Sequence, residues 1–304
     1  MTTISATSIL ASRHAQSGKR IDTLLLRYPR CVHSEFMTHR VFSRNAASSR
    51  AIPVNKLIKD VMDDPYVPLV WGKNQKGMQA DEECNEPIKF RNDVVSNEVA
   101  WLRARDTAVD AALRFDKAGY HKQIINRLLE PFAHITVVIT ATEFANFFAL
   151  RDHKDAEPHI AMLARAMKKA MAEAEVQVLQ PGQWHLPFTG SQDNTTGEAA
   201  DVSLREGGFL DKLRKLSVAR CASTSYKTVE GFDMTLERAI ALHDKLLVSD
   251  PLHASPAEHQ AQADEWMPCG SFSGGFWRFP KQHGNFQGGF RQYRKMLDGE
   301  NIPG

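Results

Sequence analysis

A run of hydroxyl, amide and guanidinium side chains occupies residues 37–53, MTHRVFSRNAASSRAIP. His39 and Arg40 are followed, after seven residues, by Ser48, a second serine at Ser49, and Arg50. A guanidinium offers a planar fork to oxyanions, and hydroxyl and backbone N–H groups supply further donors to a phosphate. Composition alone is typical of a solvated turn before a proline. The ordered spacing, with support from three other segments, favours a phosphate-binding site.

Bulk composition describes an ordinary globular chain. It has 304 residues, 42% hydrophobic and 24% charged, with a formal net charge of +2. This length permits one large domain or two smaller ones. The near-neutral charge excludes a polybasic protein whose affinity for nucleic acid comes from counterion release, so no nucleic-acid partner is expected.

The cysteines and the amino-terminal residues indicate the compartment. Cys31, Cys84, Cys221 and Cys269 form no CxxC pair and show no metal-ligand spacing with histidine. Free thiols in a reducing cytosol, with no metal site, are therefore expected. The first residues lack a signal-peptide core, and no window approaches about 18 uninterrupted apolar residues. These patterns predict a cytoplasmic protein without a membrane partner.

Hydrophobic periodicity and turn residues predict long helices with a few strands and no internal repeat. Ser96 is the predicted N-cap of a long helix, and Pro158 should interrupt or kink another that starts at Thr142. The expected fold is α+β, with long helices packed on a small, mostly antiparallel sheet in one domain over residues 1–304. The predicted strands are 21–26 and 134–140, shorter helices lie within 31–42 and over 56–62 and 236–247, and loops cover 64–87 and 182–208.

Two further segments place an arginine where a ligand could use it. Arg127 lies four residues before Pro131, a position also typical of a surface cation at a helix C-terminus. Asn146 and Arg151 belong to the segment NFFALR, beside a phenylalanine stripe. A buried arginine there needs an anion or carbonyl partner. Pairing of Arg151 with the neighbouring acids Asp152 or Asp155 is the structural alternative.

The last segments are ARCASTSY at 219–226 and HASPAEH at 253–259. In the second, Ser255 could cap a helix, with Pro256 in the first turn and Glu258 closing a capping box. That structural interpretation is compatible with function, because a capped helix start is also an anion site.

Together these segments resemble the motifs of the flavin-dependent thymidylate synthases, whose signature is His-Arg, seven residues, Ser-x-Arg. The resemblance implies that the chain methylates dUMP at C5, with methylenetetrahydrofolate as carbon donor, NADPH as electron source and FAD as cofactor. It also implies a homotetramer with active sites shared between subunits. In typical members the blocks equivalent to 219–259 precede the signature, whereas here they follow it, so a circularly permuted version of the fold is expected.

The same resemblance assigns roles to individual residues. Arg151 faces the pyrimidine ring as the catalytic residue and stabilises a uracil deprotonated at N3, while Arg50 and Arg127 bind the phosphate. The implied nucleotide contacts are Glu35, Ser48, Ser49, Arg50, Arg127 and Arg151. The implied FAD contacts are His39, Arg40, Thr140, Asn146, Ser225, Ser255 and Glu258.

Four positions depart from the family pattern, one of them Thr140, which replaces an asparagine in the strand before the phenylalanine-rich helix. Thr38 stands where the signature has a first arginine, for which Arg44 is the candidate replacement, and Ala46 replaces a common glutamate. Glu35 stands where glutamine is frequent, which could favour a base that offers an amino group, as cytosine does. Two alternatives follow: an enzyme that transfers a methyl or hydroxymethyl group to dCMP, and an inactive nucleotide-binding relative.

Overall fold

The computed structural model describes residues 3–77, 80–189, 208–224, 234–247, 252–269 and 274–300. Within these ranges the helices are α1 (His33–Phe36), α2 (Val54–Asp63), α3 (Asn97–Lys117), α4 (Lys122–Ile125), α5 (Ala145–Arg151), α6 (Pro158–Glu173), α7 (Phe209–Ala222) and α8 (Leu236–Leu247). The strands are β1 (Ser5–His14), β2 (Arg20–Pro29), β3 (Ser43–Ala46), β4 (Ile88–Phe90), β5 (Asp93–Val95), β6 (His134–Ala141), β7 (Val176–Leu179), β8 (Trp184–His185), β9 (Ala261–Ala263), β10 (Trp266–Pro268), β11 (Gly275–Trp277) and β12 (Phe290–Gln292).

The central sheet has five strands in the order β3-β6-β2-β1-β7. Its pairs are antiparallel except β1 with β7, which is parallel. One face of the sheet is apolar, and Leu24, Leu26, Val137 and Ile139 pack there in one cluster with residues of α5 and α6. This burial of alternate residues is what a sheet covered on that face by helices requires.

The opposite face carries a buried row of polar side chains. Ser12 Oγ lies 2.7 Å from Nδ1 of His185, whose Nε2 lies 2.8 Å from Thr23 Oγ1. Thr23 and Thr140 are joined at 2.7 Å, and Thr140 reaches Nδ1 of His259 at 2.9 Å. Residues of β1, β2 and β6 are thus tied to β8 and to the segment near residue 259, on the side where the candidate site lies.

Most predicted elements are confirmed, including the mixture of helices with small sheets. The short helix predicted to carry His39 and Arg40 is wrong there, because α1 ends at Phe36 and both residues lie in the turn before β3. Ser96 Oγ accepts from the amide of Val99 and caps α3 as predicted. The predicted interruption at Pro158 is confirmed: α5 ends at Arg151, and Pro158 starts a separate helix, α6, where its missing N–H costs nothing. β1 escaped prediction because its small residues Ser, Ala and Thr give a weak apolar alternation.

No helix in the described part of the chain combines the length and apolarity that crossing a lipid bilayer requires.

Candidate functional site

A cleft of about 430 Å³ lies beside the polar side of the sheet. Three parts of the chain form it: the turn and strand that follow α1, the segment 255–258, and the segment that ends after β12. A volume of this size suits part or all of a small ligand. The residues that line it are Met37, Arg40, Phe42, Arg44, Ser255, Glu258, Gly284, Asn285, Gln292, Arg294 and Lys295.

The floor of the cleft is a polar network that joins β3 to β12. Gln292 Nε2 donates to Ser43 Oγ at 3.1 Å and to Asn285 Oδ1 at 2.6 Å. Gly284 has φ +62°, and a Cβ there would lie 2.5 Å from Gln292 Oε1. Glycine is therefore needed at this position both for its backbone conformation and for the close approach of Gln292.

Segment 255–258 has a different local structure from the one predicted. Ser255–Glu258 is a single 3-10 turn whose N-cap is Ala254, with no capping hydrogen bond from a side chain. The prediction that Ser255 caps a helix is thus wrong, although Pro256 does lie in the first turn. The Ser255 side chain is exposed and lines the cleft, which leaves its hydroxyl open to a ligand.

The cleft is positively charged. Arg40, Arg44, Arg294 and Lys295 line it. Glu258 pairs with Arg294, and the largely covered Glu300 pairs with both Arg294 and Lys295, so the uncompensated charge lies on Arg40 and Arg44. Arg44 donates to the carbonyl of Met37 at 2.9 Å and to that of His39 at 3.1 Å. Arg40 is exposed and has no hydrogen-bond or ion-pair partner among the described residues. The arrangement favours an anionic ligand.

A second cluster lies on the other side of His39. Arg151, at the end of α5, forms an ion pair with Glu35 of α1, and its Nε donates to His39 Nε2 at 2.9 Å. Because Nε2 accepts this bond, His39 is neutral with its proton on Nδ1. Burial and then the charges of Arg151 and Arg44 lower the pKa of His39, which agrees with that state. The predicted alternative partner of Arg151, Asp152, instead binds Arg165 and Lys168.

The loop after β3 carries the remaining signature residues. Ser49 is buried and donates to Glu130 Oε1 at 2.6 Å, whereas Ser48 and Arg50 are exposed. Asn126, fully buried, donates to the carbonyls of Ser49 at 2.6 Å and Ile52 at 2.9 Å. These bonds hold the loop against the turn 126–128.

Arg127 follows Asn126 in that turn and is exposed. Neither Arg50 nor Arg127 has an ion-pair partner within the described ranges. Two guanidinium groups without an ion-pair partner in the described residues therefore belong to two segments that are hydrogen-bonded to each other.

Three of the predicted FAD residues, His39, Thr140 and Asn146, do not line the cleft. Thr140 is fully buried in the polar row, and its contact is with His259, the residue after Glu258. Asn146 is exposed at the start of α5. Ser225 lies outside the described residues.

Sequence reasoning missed two sets of residues around the site. Arg294, Lys295, Asn285 and Gln292 belong to a Gly- and aromatic-rich segment without a clear period, so no motif indicated them. Asn126 precedes a predicted phosphate ligand, and only its burial shows that it anchors the loop.

Comparison with known proteins gives a partial likeness of fold. Neither a protein-family model nor a curated protein matches the chain. Among solved structures, it is similar to the UMP/dUMP methylase PolB from Streptomyces cacaoi bound with 5-Br dUMP. That likeness has 17% sequence identity and a TM-score of 0.41, and it covers 57% of this chain and 91% of that chain. The same methylase bound with 5-Br UMP has the same identity and TM-score, covering 57% of this chain and 90% of that one.

Proposed function

We propose that this chain is a flavin-dependent enzyme of the thymidylate synthase type, which transfers a one-carbon unit to C5 of a pyrimidine deoxynucleotide. One observation carries the proposal. Arg40 of the signature and Ser255 and Glu258 of the distant HASPAEH segment line the same cleft, although more than 200 residues separate them in sequence. A chance match to separate motifs would not bring their polar side chains together.

The reaction balances as follows for dUMP, the substrate that the resemblance implies. Methylenetetrahydrofolate supplies one carbon, and NADPH with a proton supplies the two electrons that reduce it to a methyl group. C5 loses its hydrogen as a proton, and dTMP, tetrahydrofolate and NADP⁺ are released. The protein contributes orientation and electrostatics, and no cysteine nucleophile is required.

The donor set of the cleft fits the charged part of FAD. Four cations against the carboxylates of Glu258 and Glu300 leave a net positive charge that suits a pyrophosphate, and the open hydroxyl of Ser255 adds a donor. Arg40, Arg44, Ser255, Arg294 and Lys295 would hold the cofactor. When bound, FAD would supply the hydride that reduces the transferred carbon. FAD is too long for the cleft alone, which agrees with the proposed homotetramer with shared sites.

The residues proposed to bind the nucleotide fall into two groups: those exposed for the phosphate and those held by protein contacts. Arg50 and Arg127 are free to bind a phosphate, with Ser48 beside them. The Ser49 hydroxyl already donates to Glu130, so Ser49 stabilises the loop rather than binding the phosphate. Arg151 would donate to the ring, and its contacts with His39 and Glu35 hold the guanidinium in orientation.

Flavin binding tests the cofactor assignment. Purified wild-type protein should be yellow, with a flavin absorbance band, and Arg40→Ala should lose about 90% of the bound FAD because an exposed charge-assisted contact is removed. Arg278→Ala, which alters a surface pair with Glu265, should keep it. If wild-type protein neither copurifies with FAD nor binds it at micromolar concentration, the enzyme proposal fails and a nucleotide-binding relative is favoured.

Nucleotide affinity tests the phosphate assignment separately. Arg50→Ala and Arg127→Ala should each weaken binding of the preferred nucleotide about tenfold, because each removes a charged donor to the phosphate. The corresponding nucleoside, which lacks the phosphate, should bind wild type and variants alike in calorimetry. Arg114→Ala, an exposed position paired with Asp110 on α3, is the matched control. Equal losses for nucleotide and nucleoside would contradict the assignment.

A further inference from the structure

The ion pair between Glu35 and Arg151 is only partly covered. Their side chains are 34% and 19% exposed, respectively. One Arg151 nitrogen is used by His39 and another by Glu35, which leaves N–H groups of the guanidinium available. The second carboxylate oxygen of Glu35 has no hydrogen-bond partner in the part of the chain that the structure describes. The pair therefore presents an acceptor next to donors.

That pattern is complementary to one pyrimidine and not to the other. Cytosine offers an amino group at C4 beside the acceptors N3 and O2, so a carboxylate can accept from its N4 while a guanidinium donates to the ring. Uracil has a carbonyl oxygen at C4 and a proton on N3. Facing Glu35, the uracil O4 would meet a second acceptor, and an unpaired acceptor in a binding site costs affinity.

The charge of the Glu35–Arg151 pair also favours cytosine over uracil. Stabilising a uracil ring deprotonated at N3 needs an uncompensated cation beside it. Here the charge of Arg151 is offset by Glu35, so an anionic ring would be repelled by the carboxylate as well as attracted by the guanidinium. Neutral cytosine already has an acceptor at N3 and needs no such charge.

We infer that Glu35 and Arg151 together bind the base edge of a cytosine ring, so that the preferred substrate is a cytosine rather than a uracil deoxynucleotide. The inference rests on the proposed function, in which Arg151 faces the pyrimidine. The one-carbon transfer is unchanged, because C5 is the acceptor in both bases. With methylenetetrahydrofolate and NADPH, dCMP then gives 5-methyl-dCMP, tetrahydrofolate and NADP⁺.

Affinities for dCMP and dUMP, measured by calorimetry on the FAD-loaded protein, test the inference. Wild type should bind dCMP at least about tenfold more tightly than dUMP. Glu35→Gln should abolish or reverse that ratio, because an amide can donate to the uracil O4 where a carboxylate cannot. Glu35→Asp, which keeps the charge, should retain the preference for dCMP. Glu265→Gln, which changes a surface carboxylate paired with Arg278, should leave the ratio unchanged.

The possible results separate the two levels of the proposal. Tighter binding of dUMP by wild type, or a ratio that Glu35→Gln leaves unchanged, would overturn the cytosine assignment while the enzyme proposal stands. Binding of neither nucleotide by a yellow, folded wild-type protein would overturn the proposed function and the base assignment with it. If Glu35→Gln does not fold, the wild-type ratio and Glu35→Asp still decide.

Discussion

Replacing Arg151 by alanine is expected to lower kcat/KM for the preferred pyrimidine nucleotide by about 100-fold. The change removes the proposed donor to the ring, and it also leaves Glu35 without its cation and His39 Nε2 without its donor. A carboxylate facing the base with no counter-charge adds repulsion to the lost contact. Steady-state kinetics with dUMP and dCMP, followed by NADPH oxidation, measure the effect.

Arg165→Ala is the matched control for Arg151→Ala. Arg165 is also an arginine paired with an acid, Asp152, but its side chain is 61% exposed. Its replacement should change kcat/KM less than about twofold, as expected for a surface pair. An Arg151→Ala enzyme that keeps wild-type kcat/KM, with FAD bound, would contradict the role assigned to Arg151.

Acid is expected to destabilise the protein through the polar row on the sheet. Burial and the neighbouring His259 lower the pKa of His185 to about 3, and burial lowers that of His259 to about 3. Unfolded histidine titrates near 6.5, so between pH 6.5 and 3 the unfolded chain binds more protons. The stabilisation is complete above pH 6.5 and is lost as the pH falls, at a cost of about 2 kcal/mol for each histidine at pH 5.

Urea unfolding at pH 7.5 and pH 5.0 measures this loss. His259→Gln should unfold more easily at pH 7.5 but lose less stability between the two pH values than wild type does. His153→Gln, at an exposed position, should show the wild-type difference. The interpretation is wrong if His259→Gln and wild type lose the same free energy of unfolding on acidification.

Local signals in the sequence predicted many elements because those elements are determined locally. The serine cap predicted the start of α3, and the β-branched run predicted β6. The proline predicted the interruption before α6. Strand β1 lacked such a signal. Its pairing with β2 and β7, rather than its own pattern, makes it a strand.

The site was only partly predictable, because some of its contacts join segments that are distant in sequence. Motif spacing indicated Arg40, Ser255 and Glu258, which the structure places in one cleft. It did not reveal that Arg151 pairs with Glu35, because 116 residues separate them and a nearer acid was available. Partner choice at that distance depends on how α1 and α5 pack, which no local pattern encodes. The circular permutation stays a prediction.

The two walls of the cleft also determine when it can form during synthesis. Arg40 and Arg44 lie on one wall, and Asn285, Gln292 and Arg294 on the other. The sheet strands up to β7 can pair before the later residues are made, but the cleft needs both walls. Bringing the two walls together closes a long loop of chain, which is slow. This closure gains no stabilising free energy until the contacts between the walls form. A nascent chain would therefore present a folded sheet whose cleft is still incomplete, and any ligand of the cleft could bind only after the last wall has been made.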